Sequence, residues 1–252
     1  MLGGVAALGL AGRADAQGDP LPSWNAGPAK DAIVKFVHAT TDAASRDFVP
    51  VAERIAVFDQ DGTLWVEHPV YTQIVFAFSR VPEVVKERPE LAKEEPFRTV
   101  LTGDRRAIAQ LGLDALMSRR SRWWAAPAAS ATQYAADGRP VLIKEPKLII
   151  NDDNAGKPEG IHLVIGRTPQ FAFGNSAGDR EMLEYATAGA GARLGMIVLH
   201  DDAEREYAYG PAQGLPDSKI GTLPQSLYDQ AVKDGWIVVS MKADWKRVFA
   251  FE

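Results

Sequence analysis

The chain contains no cysteine, which excludes disulfide bonds, thiolate metal sites and cysteine nucleophiles. It also lacks an excess of positive charge: the formal net charge is -5 at pH 7, which argues against nucleic acid as the main partner. No apolar run reaches the roughly 20 residues that a membrane-spanning helix needs. The length of 252 residues is enough for one large domain, or for a core domain with a smaller lobe.

The N-terminal residues are small and apolar, and they lead to Ala14-Asp15-Ala16, which has small residues at the positions that signal peptidase requires. Residues 1–16 are therefore a predicted signal peptide, although a basic start is absent. Residues 17–30 are rich in turn formers and are interpreted as a linker. We expect a periplasmic or secreted protein; the alternative is a cytoplasmic protein with an apolar terminus.

The most informative stretch is an apolar run that ends in two carboxylates. Ile55 to Phe58 predicts a short buried strand, and Asp59 and Asp61 follow directly. Residues two apart on an extended chain point to the same side, so both carboxylates are expected to face one crevice. Ligands bind at the carboxyl ends of strands in open α/β sheets. Gly62 allows a sharp turn at this point.

This stretch, Asp59-Gln-Asp61-Gly62-Thr63, resembles the first motif of the haloacid dehalogenase-like hydrolase superfamily, in particular its phosphoserine-phosphatase-like branch. The resemblance implies that Asp59 is a nucleophile that forms an aspartyl-phosphate, and that Asp61 is the general acid and base. It also implies that Thr63 binds substrate. A carboxylate nucleophile divides one difficult displacement into two easier steps.

Further along the chain, strands are predicted to alternate with helices, which indicates a doubly wound, Rossmann-like α/β fold with a mostly parallel sheet. Residues 31–65 and 132–252 are assigned to the catalytic core. The core contains a predicted hairpin with its turn at Asp137-Gly138. Residues 66–117 are predicted to be mostly helical, and by resemblance residues 66–131 form a helical cap inserted after the first motif. We expect the cap to be truncated, because residues 118–131 have neither helical nor strand periodicity.

Two later motifs complete the resemblance. Lys157, at a predicted helix start, resembles the third motif, whose lysine holds the phosphoryl group and offsets crowded carboxylates. Gly174-Asn175-Ser-Ala-Gly-Asp179 resembles the fourth motif, which completes a Mg²⁺ site. The implied metal ligands are Asp59, the Asp61 carbonyl, Asn175 and Asp179, all hard oxygen donors of the kind that Mg²⁺ prefers. Asn175 stands where the family has an acid.

The second motif, a strand that ends in a phosphate-binding Ser or Thr, is not evident. One interpretation places it at Thr102, as the end of a short strand, with Ser79 as a weaker choice. The preferred interpretation is a deletion near residues 118–131. A deletion would leave the sheet without the strand next to the catalytic one, and so with an exposed edge.

The resemblance implies a Mg²⁺-dependent phosphomonoester hydrolase that acts on a small phosphorylated substrate, without a nucleic-acid partner. A phosphomutase uses the same two aspartates and remains an alternative. A binding protein that has lost turnover is another, favoured by the missing motif and opposed by the retained Asp59, Asp61 and Lys157. Glu67 and His68 follow the motif closely and are weaker candidates for substrate contact.

Overall fold

The structure is a computed structural model that describes residues 18–111, 128–148 and 151–251. Its strands are β1 (Ala56–Phe58), β2 (Ala128–Tyr134), β3 (Pro140–Leu148), β4 (Phe171–Gly174), β5 (Leu194–Leu199) and β6 (Ile237–Ser240). Its helices are α1 (Pro28–Thr41), α2 (Thr72–Glu87), α3 (Phe97–Leu101), α4 (Arg105–Gln110), α5 (Gly156–Ile165), α6 (Arg180–Thr187), α7 (Gln225–Lys233) and α8 (Met241–Asp244). Short 3₁₀ turns cover Val51–Glu53, Pro89–Lys93, Ala177–Asp179 and Ala212–Gly214.

Four strands form one parallel sheet in the order β1-β4-β5-β6. Its register pairs Val57 with Ala172, Phe173 with Met196, and Val198 with Val239. Because every pair is parallel, the carboxyl ends of all four strands lie at the same edge of the sheet. The predicted α/β class is confirmed at this level, as a parallel sheet with helices.

Both faces of this sheet are covered. Alternate residues of β4 and β5 contribute to two separate buried clusters, as expected from the alternation of side chains along a strand. On one face, Ala172 and Ile197 pack with residues of α6 and α7. On the other face, Phe171 and Met196 pack with residues of α1 and with Trp24.

Strand β1 is less buried than the sequence predicts. Val57 is half-buried, whereas Ala56 is exposed and Phe58 keeps 45% of its surface accessible. Among the described residues, no strand pairs with β1 on the side away from β4. The prediction of a buried strand is therefore wrong in burial although correct in position, because β1 lies at an edge of the sheet.

The segment after β1 is helical, as predicted. Helices α2 and α3 pack together around a small cluster of Val81, Val84 and Phe97. None of the helices in the described ranges combines the length and the apolar character needed to cross a membrane. The predicted hairpin is also present, formed by β2 and β3 as an antiparallel pair. Because β2 begins at Ala128, the assignment of residues 128–131 to an irregular part of a helical cap is wrong: they pair with β3 as a strand. Residues 1–16 and 118–127, which carry the predicted signal peptide and most of the irregular stretch, lie outside the described residues.

Both strand interpretations of the second motif are wrong. Phe97–Leu101 is the helix α3, and Thr102 follows it with its hydroxyl donating to the carbonyl of Thr99 at 2.7 Å. Ser79 lies inside α2 and donates to the carbonyl of Phe76 at 2.7 Å. Each hydroxyl donates a hydrogen bond to a backbone carbonyl one helical turn earlier, so both side chains have local structural partners. The segment is helical because it packs on α2 through Phe97.

Candidate active site

Three charged side chains from separate parts of the chain meet at the carboxyl edge of the sheet. The ammonium of Lys157 contacts Oδ1 of Asp59 and donates to Oδ1 of Asp179 at 2.7 Å. Asp59 follows β1, Asp179 follows β4 after a short turn, and Lys157 is in the first turn of α5. The structure therefore brings together three of the residues that the sequence motifs predict. Ninety-eight residues separate Asp59 from Lys157.

Backbone hydrogen bonds hold both carboxylates in place. The N–H of Asp59 donates to the carbonyl of Phe173 at 2.8 Å, which extends the β1–β4 pairing by one residue. Oδ2 of Asp179 accepts from the backbone N–H groups of Asn175 at 2.9 Å and Ser176 at 3.0 Å. Asp179 is only 1% exposed, so these bonds and Lys157 together satisfy a deeply buried charge.

The charged side chains of this cluster shift one another's pKa values. Burial and, next, the nearby charge of Asp179 raise the pKa of the Asp59 carboxyl to about 6, against the opposing effect of Lys157. Burial also disfavours the charged form of Lys157, but the carboxylates of Asp179 and Asp59 outweigh that effect and raise the lysine pKa. At neutral pH the cluster therefore holds a protonated Lys157 and a mostly ionised Asp59.

Asp61 is oriented by two N–H donors that the sequence motif does not identify. The indole Nε1 of Trp65 donates to its Oδ1 at 2.8 Å, and Nε2 of Gln73 donates to its Oδ2 at 2.6 Å. Each oxygen keeps a further lone pair, so the carboxyl group can still exchange a proton. Gln73 lies in α2, so the helical segment after β1 contributes directly to the site.

A second buried carboxylate lies next to the cluster. Glu67 is 3% exposed, and its Oε1 accepts from Nδ2 of Asn175 at 2.6 Å and from the hydroxyl of Tyr209 at 2.8 Å. Burial raises the pKa of Glu67 to about 7, although both hydrogen bonds act in the opposite direction. Burial and the nearby Glu67 also raise the pKa of Tyr209. Glu67 therefore orients the Asn175 amide, a predicted metal ligand.

The oxygen atoms of the predicted metal site are of the kind that Mg²⁺ prefers as ligands. Asp59 and Asp179 supply carboxylates, and Asn175 supplies an amide. No hydrogen-bond donor among the described residues reaches the carbonyl oxygen of Asp61, which leaves it available as a ligand. The described ranges contain no group of three or more His, Asp or Glu side chains placed to bind a metal.

Thr63 is the predicted substrate-binding residue in the same loop. Its Oγ1 is buried and has no hydrogen-bond partner within the described part of the chain, and the same holds for Oε1 of Gln73. Unsatisfied polar atoms inside a protein are uncommon and costly, so they indicate a place where a ligand or water completes the site. In contrast, the hydroxyl of Thr102 donates to the carbonyl of Thr99 and accepts from the N–H of Asp104, both close in the chain.

His200 is a part of the site that sequence reasoning missed. It directly follows β5, and its Nε2 lies 2.8 Å from the carbonyl oxygen of Gly62 in the loop after β1. A signal was available, because β5 is parallel to β1 and a polar residue at its carboxyl end belongs to the same edge. The Nε2 of His68, a weaker candidate for substrate contact, lies 3.2 Å from the carbonyl of Ile220, and the His68 ring lies 4.0 Å from the Tyr209 ring with the two planes tilted by 44°.

A cleft of about 230 Å³ lies beside Glu67, and none of Asp59, Asp61 and Lys157 lines it. Its walls are mostly side chains that follow β1 and β5: Val66, His68, Arg205, Glu206, Tyr207 and Tyr209. Comparisons of the chain with protein-family models and with curated proteins find no match. The function is therefore inferred from the chemistry of the site.

Proposed function

We propose that the protein is a Mg²⁺-dependent phosphomonoester hydrolase that acts through an aspartyl-phosphate on Asp59. The observation that carries the proposal is the bridge from Lys157 to Asp59 and Asp179, with Asp61 two residues from the nucleophile. A cation between two carboxylates suits a site that must accept a dianionic phosphoryl group. The proposal includes membership of the haloacid dehalogenase-like superfamily, with a doubly wound core and α2 to α4 as a cap.

In the first step, a carboxylate oxygen of Asp59 attacks phosphorus in line with the leaving oxygen. The new Asp59–phosphorus bond forms as the bond from phosphorus to the substrate oxygen breaks. Asp61 gives its proton to the departing oxygen, which leaves as a neutral alcohol. Lys157 offsets negative charge that develops on the phosphoryl oxygens. The pKa of about 6 makes Asp59 a carboxylate, and thus a nucleophile, at neutral pH.

In the second step, Asp61 is ionised and accepts a proton from a water molecule whose oxygen attacks phosphorus. The bond to Asp59 breaks, inorganic phosphate leaves, and Asp61 carries the proton needed for the next turnover. Trp65 and Gln73 hold the Asp61 carboxyl group in one orientation through both steps. Mg²⁺ bound by Asp59, the Asp61 carbonyl, Asn175 and Asp179 would supply charge neutralisation and alignment of the phosphoryl group.

The test is the release of phosphate from an aryl phosphate, with and without Mg²⁺, by the wild type and by Asp59→Asn. Loss of the nucleophile should lower kcat by at least about 10³-fold, because the covalent route then closes. Asp31→Asn, an exposed acid in the first turn of α1, is the matched control and should keep wild-type rates. Activity that survives in Asp59→Asn, or that does not need Mg²⁺, would contradict the proposal.

A second candidate is a binding protein that has the same site but no turnover. It is favoured by one observation: among the described residues, β1 has no neighbour on its outer side, where the second motif would supply a phosphate-binding hydroxyl. The same assay separates the two candidates. A folded wild type that binds Mg²⁺ in calorimetry but releases no phosphate would support the binding protein.

A further inference from the structure

The loop after β5 reaches across the carboxyl edge of the sheet to the catalytic loop after β1. His200 is 5% exposed, and its two ring nitrogens have different partners. Nε2 lies 2.8 Å from the carbonyl oxygen of Gly62, and Nδ1 lies 2.9 Å from Oε1 of Glu206. A carbonyl oxygen only accepts hydrogen bonds, so Nε2 carries a proton and donates it. One imidazole therefore links Glu206 to the backbone of the proposed catalytic loop.

The ring of His200 has little freedom to move. Glu206 has a side chain that is only 6% exposed, so its carboxylate is a buried anchor for Nδ1. The ring of Tyr209 stacks on the imidazole, with ring centroids 4.4 Å apart and planes within 16°. An imidazole held at both nitrogens and on one face presents its Nε2–H in a single direction.

The N–H groups of the proposed catalytic loop donate to carbonyls other than that of Gly62. The N–H groups of Thr63, Leu64 and Trp65 all point to the carbonyl of Gln60, at 3.2, 2.8 and 3.2 Å. The N–H of Gly62 donates to the carbonyl of Trp65 at 2.7 Å. Among the described residues, His200 is the only donor that reaches the Gly62 carbonyl.

We infer that His200, oriented by Glu206, is a positioning residue that fixes the Gly62 peptide and thereby aims Asp61 at the reacting oxygen. The inference rests on the proposed function. His200 acts through the backbone and touches no reacting atom. Gly62 has a φ of +77° and no side chain of its own to fix the direction of its carbonyl, so a donor from outside the loop holds this peptide beside Asp61. A misplacement of about 1 Å of a catalytic group can lower the rate by about 100-fold.

Two substitutions separate this role from a merely structural one. His200→Gln places an amide N–H near the position of Nε2, so it retains the donor to Gly62. His200→Asn places its amide near the position of Nδ1, so it retains contact with Glu206 but loses the donor. His38→Asn, an exposed histidine in α1, is the control.

The first measurement is the steady-state hydrolysis of an aryl phosphate with Mg²⁺. We expect His200→Asn to lower kcat by about 10- to 100-fold, with KM changed by less than about threefold, because the defect is in orientation. His200→Gln should recover most of the lost kcat, and His38→Asn should match the wild type. Equal losses in the Asn and Gln variants, or a change in KM alone, would overturn the inference.

The second measurement does not need turnover. The indole N–H of Trp65 donates to Asp61, so its ¹⁵N–¹H resonance in the metal-free protein reports where Asp61 lies. It is assigned by its absence in Trp65→Phe. His200→Asn should shift this resonance and His200→Gln should shift it less, with the indoles of Trp24 and Trp245 as internal references. An unshifted Trp65 resonance in a folded His200→Asn protein would overturn the inference, even if the wild type proves inactive as a phosphatase.

Discussion

At the scale of single residues, the site is organised by buried carboxylates whose neighbours differ. Asp179 is satisfied by two backbone N–H groups and by Lys157, whereas Glu67 accepts only from the neutral donors Asn175 and Tyr209. A buried acid without a cationic partner favours its neutral form. Glu67 accordingly has a pKa of about 7, and its ionisation should be visible in the stability of the protein.

The first residue-scale prediction concerns Glu67→Gln, which keeps the shape and the accepting oxygen. The folded-state pKa of Glu67 lies above its ordinary value of 4.5, so its contribution to stability is full below pH 4.5 and is lost as the pH rises through about 7. Glu67→Gln has no such loss. At pH 8 the variant should be more stable than the wild type by up to about 3 kcal/mol, and at pH 4.5 the two should be similar.

Urea unfolding of the metal-free proteins between pH 4.5 and 8 measures this difference directly. Glu90→Gln, an acid in the 3₁₀ turn after α2, serves as the control and should follow the wild type. A constant difference between Glu67→Gln and the wild type over the whole pH range would show that Glu67 does not titrate in the fold.

At the scale of elements, the turn after β1 depends on close packing around a glycine. A Cβ on Gly62 would lie 2.0 Å from Nδ2 of Asn175 and 2.5 Å from Oε1 of Glu67. Gly62 also has a φ of +77°, which is unfavourable for other residues. The turn therefore approaches Asn175 and Glu67 as closely as it does only because this residue has no side chain.

Gly62→Ala tests that statement against Gly214→Ala, which has nearly the same φ of +78° but no atom within 4 Å of its added Cβ. Gly214→Ala should lose about 1–2 kcal/mol, the cost of the backbone conformation alone. Gly62→Ala should lose at least about 2 kcal/mol more in urea unfolding, because Asn175 and Glu67 must move. Equal losses for the two variants would mean that the turn has room for a side chain.

At the scale of the whole molecule, the two ends of the described chain close one face of the sheet. Trp24 and Trp245 form an antiparallel bridge, and their ring centroids are 4.1 Å apart. The N–H of Asn25 donates to the carbonyl of Asp244 at 2.8 Å, and the N–H of Lys246 donates to the carbonyl of Ser23 at 2.9 Å. These contacts join segments more than 200 residues apart, so they are expected to form only with the complete sheet.

Trp24→Ala should therefore destabilise the whole fold in a single cooperative transition. Trp24 is 8% exposed and belongs to the buried cluster that contains Phe171 and Met196. Loss of its side chain should lower the free energy of unfolding by about 3–5 kcal/mol. Phe76→Ala is the matched control, because Phe76 is 62% exposed and should cost less than about 0.5 kcal/mol. Urea unfolding followed by circular dichroism measures both, and similar losses would show that the two ends contribute little.

The sequence alone indicated the alternation of strands with helices and the order of the chemistry-bearing residues. Asp59 was identified at the end of an apolar run, and Lys157, Asn175 and Asp179 were identified by the resemblance of their stretches to family motifs, which lie at helix starts and strand ends. Those boundaries depend on neighbours within a few residues, which a sequence pattern records. The roles of these residues in catalysis remain predictions from the resemblance.

Tertiary structure alone decided which of these groups meet. The register of the parallel sheet puts His200 beside Gly62, and the packing of α3 on α2 makes the Thr102 segment helical where a strand was considered. The edge position of β1 exposes Phe58, although its apolar neighbours predicted burial. Such outcomes depend on contacts between residues that are far apart in the chain. A local sequence pattern does not show whether a second strand pairs with the outer side of a given strand.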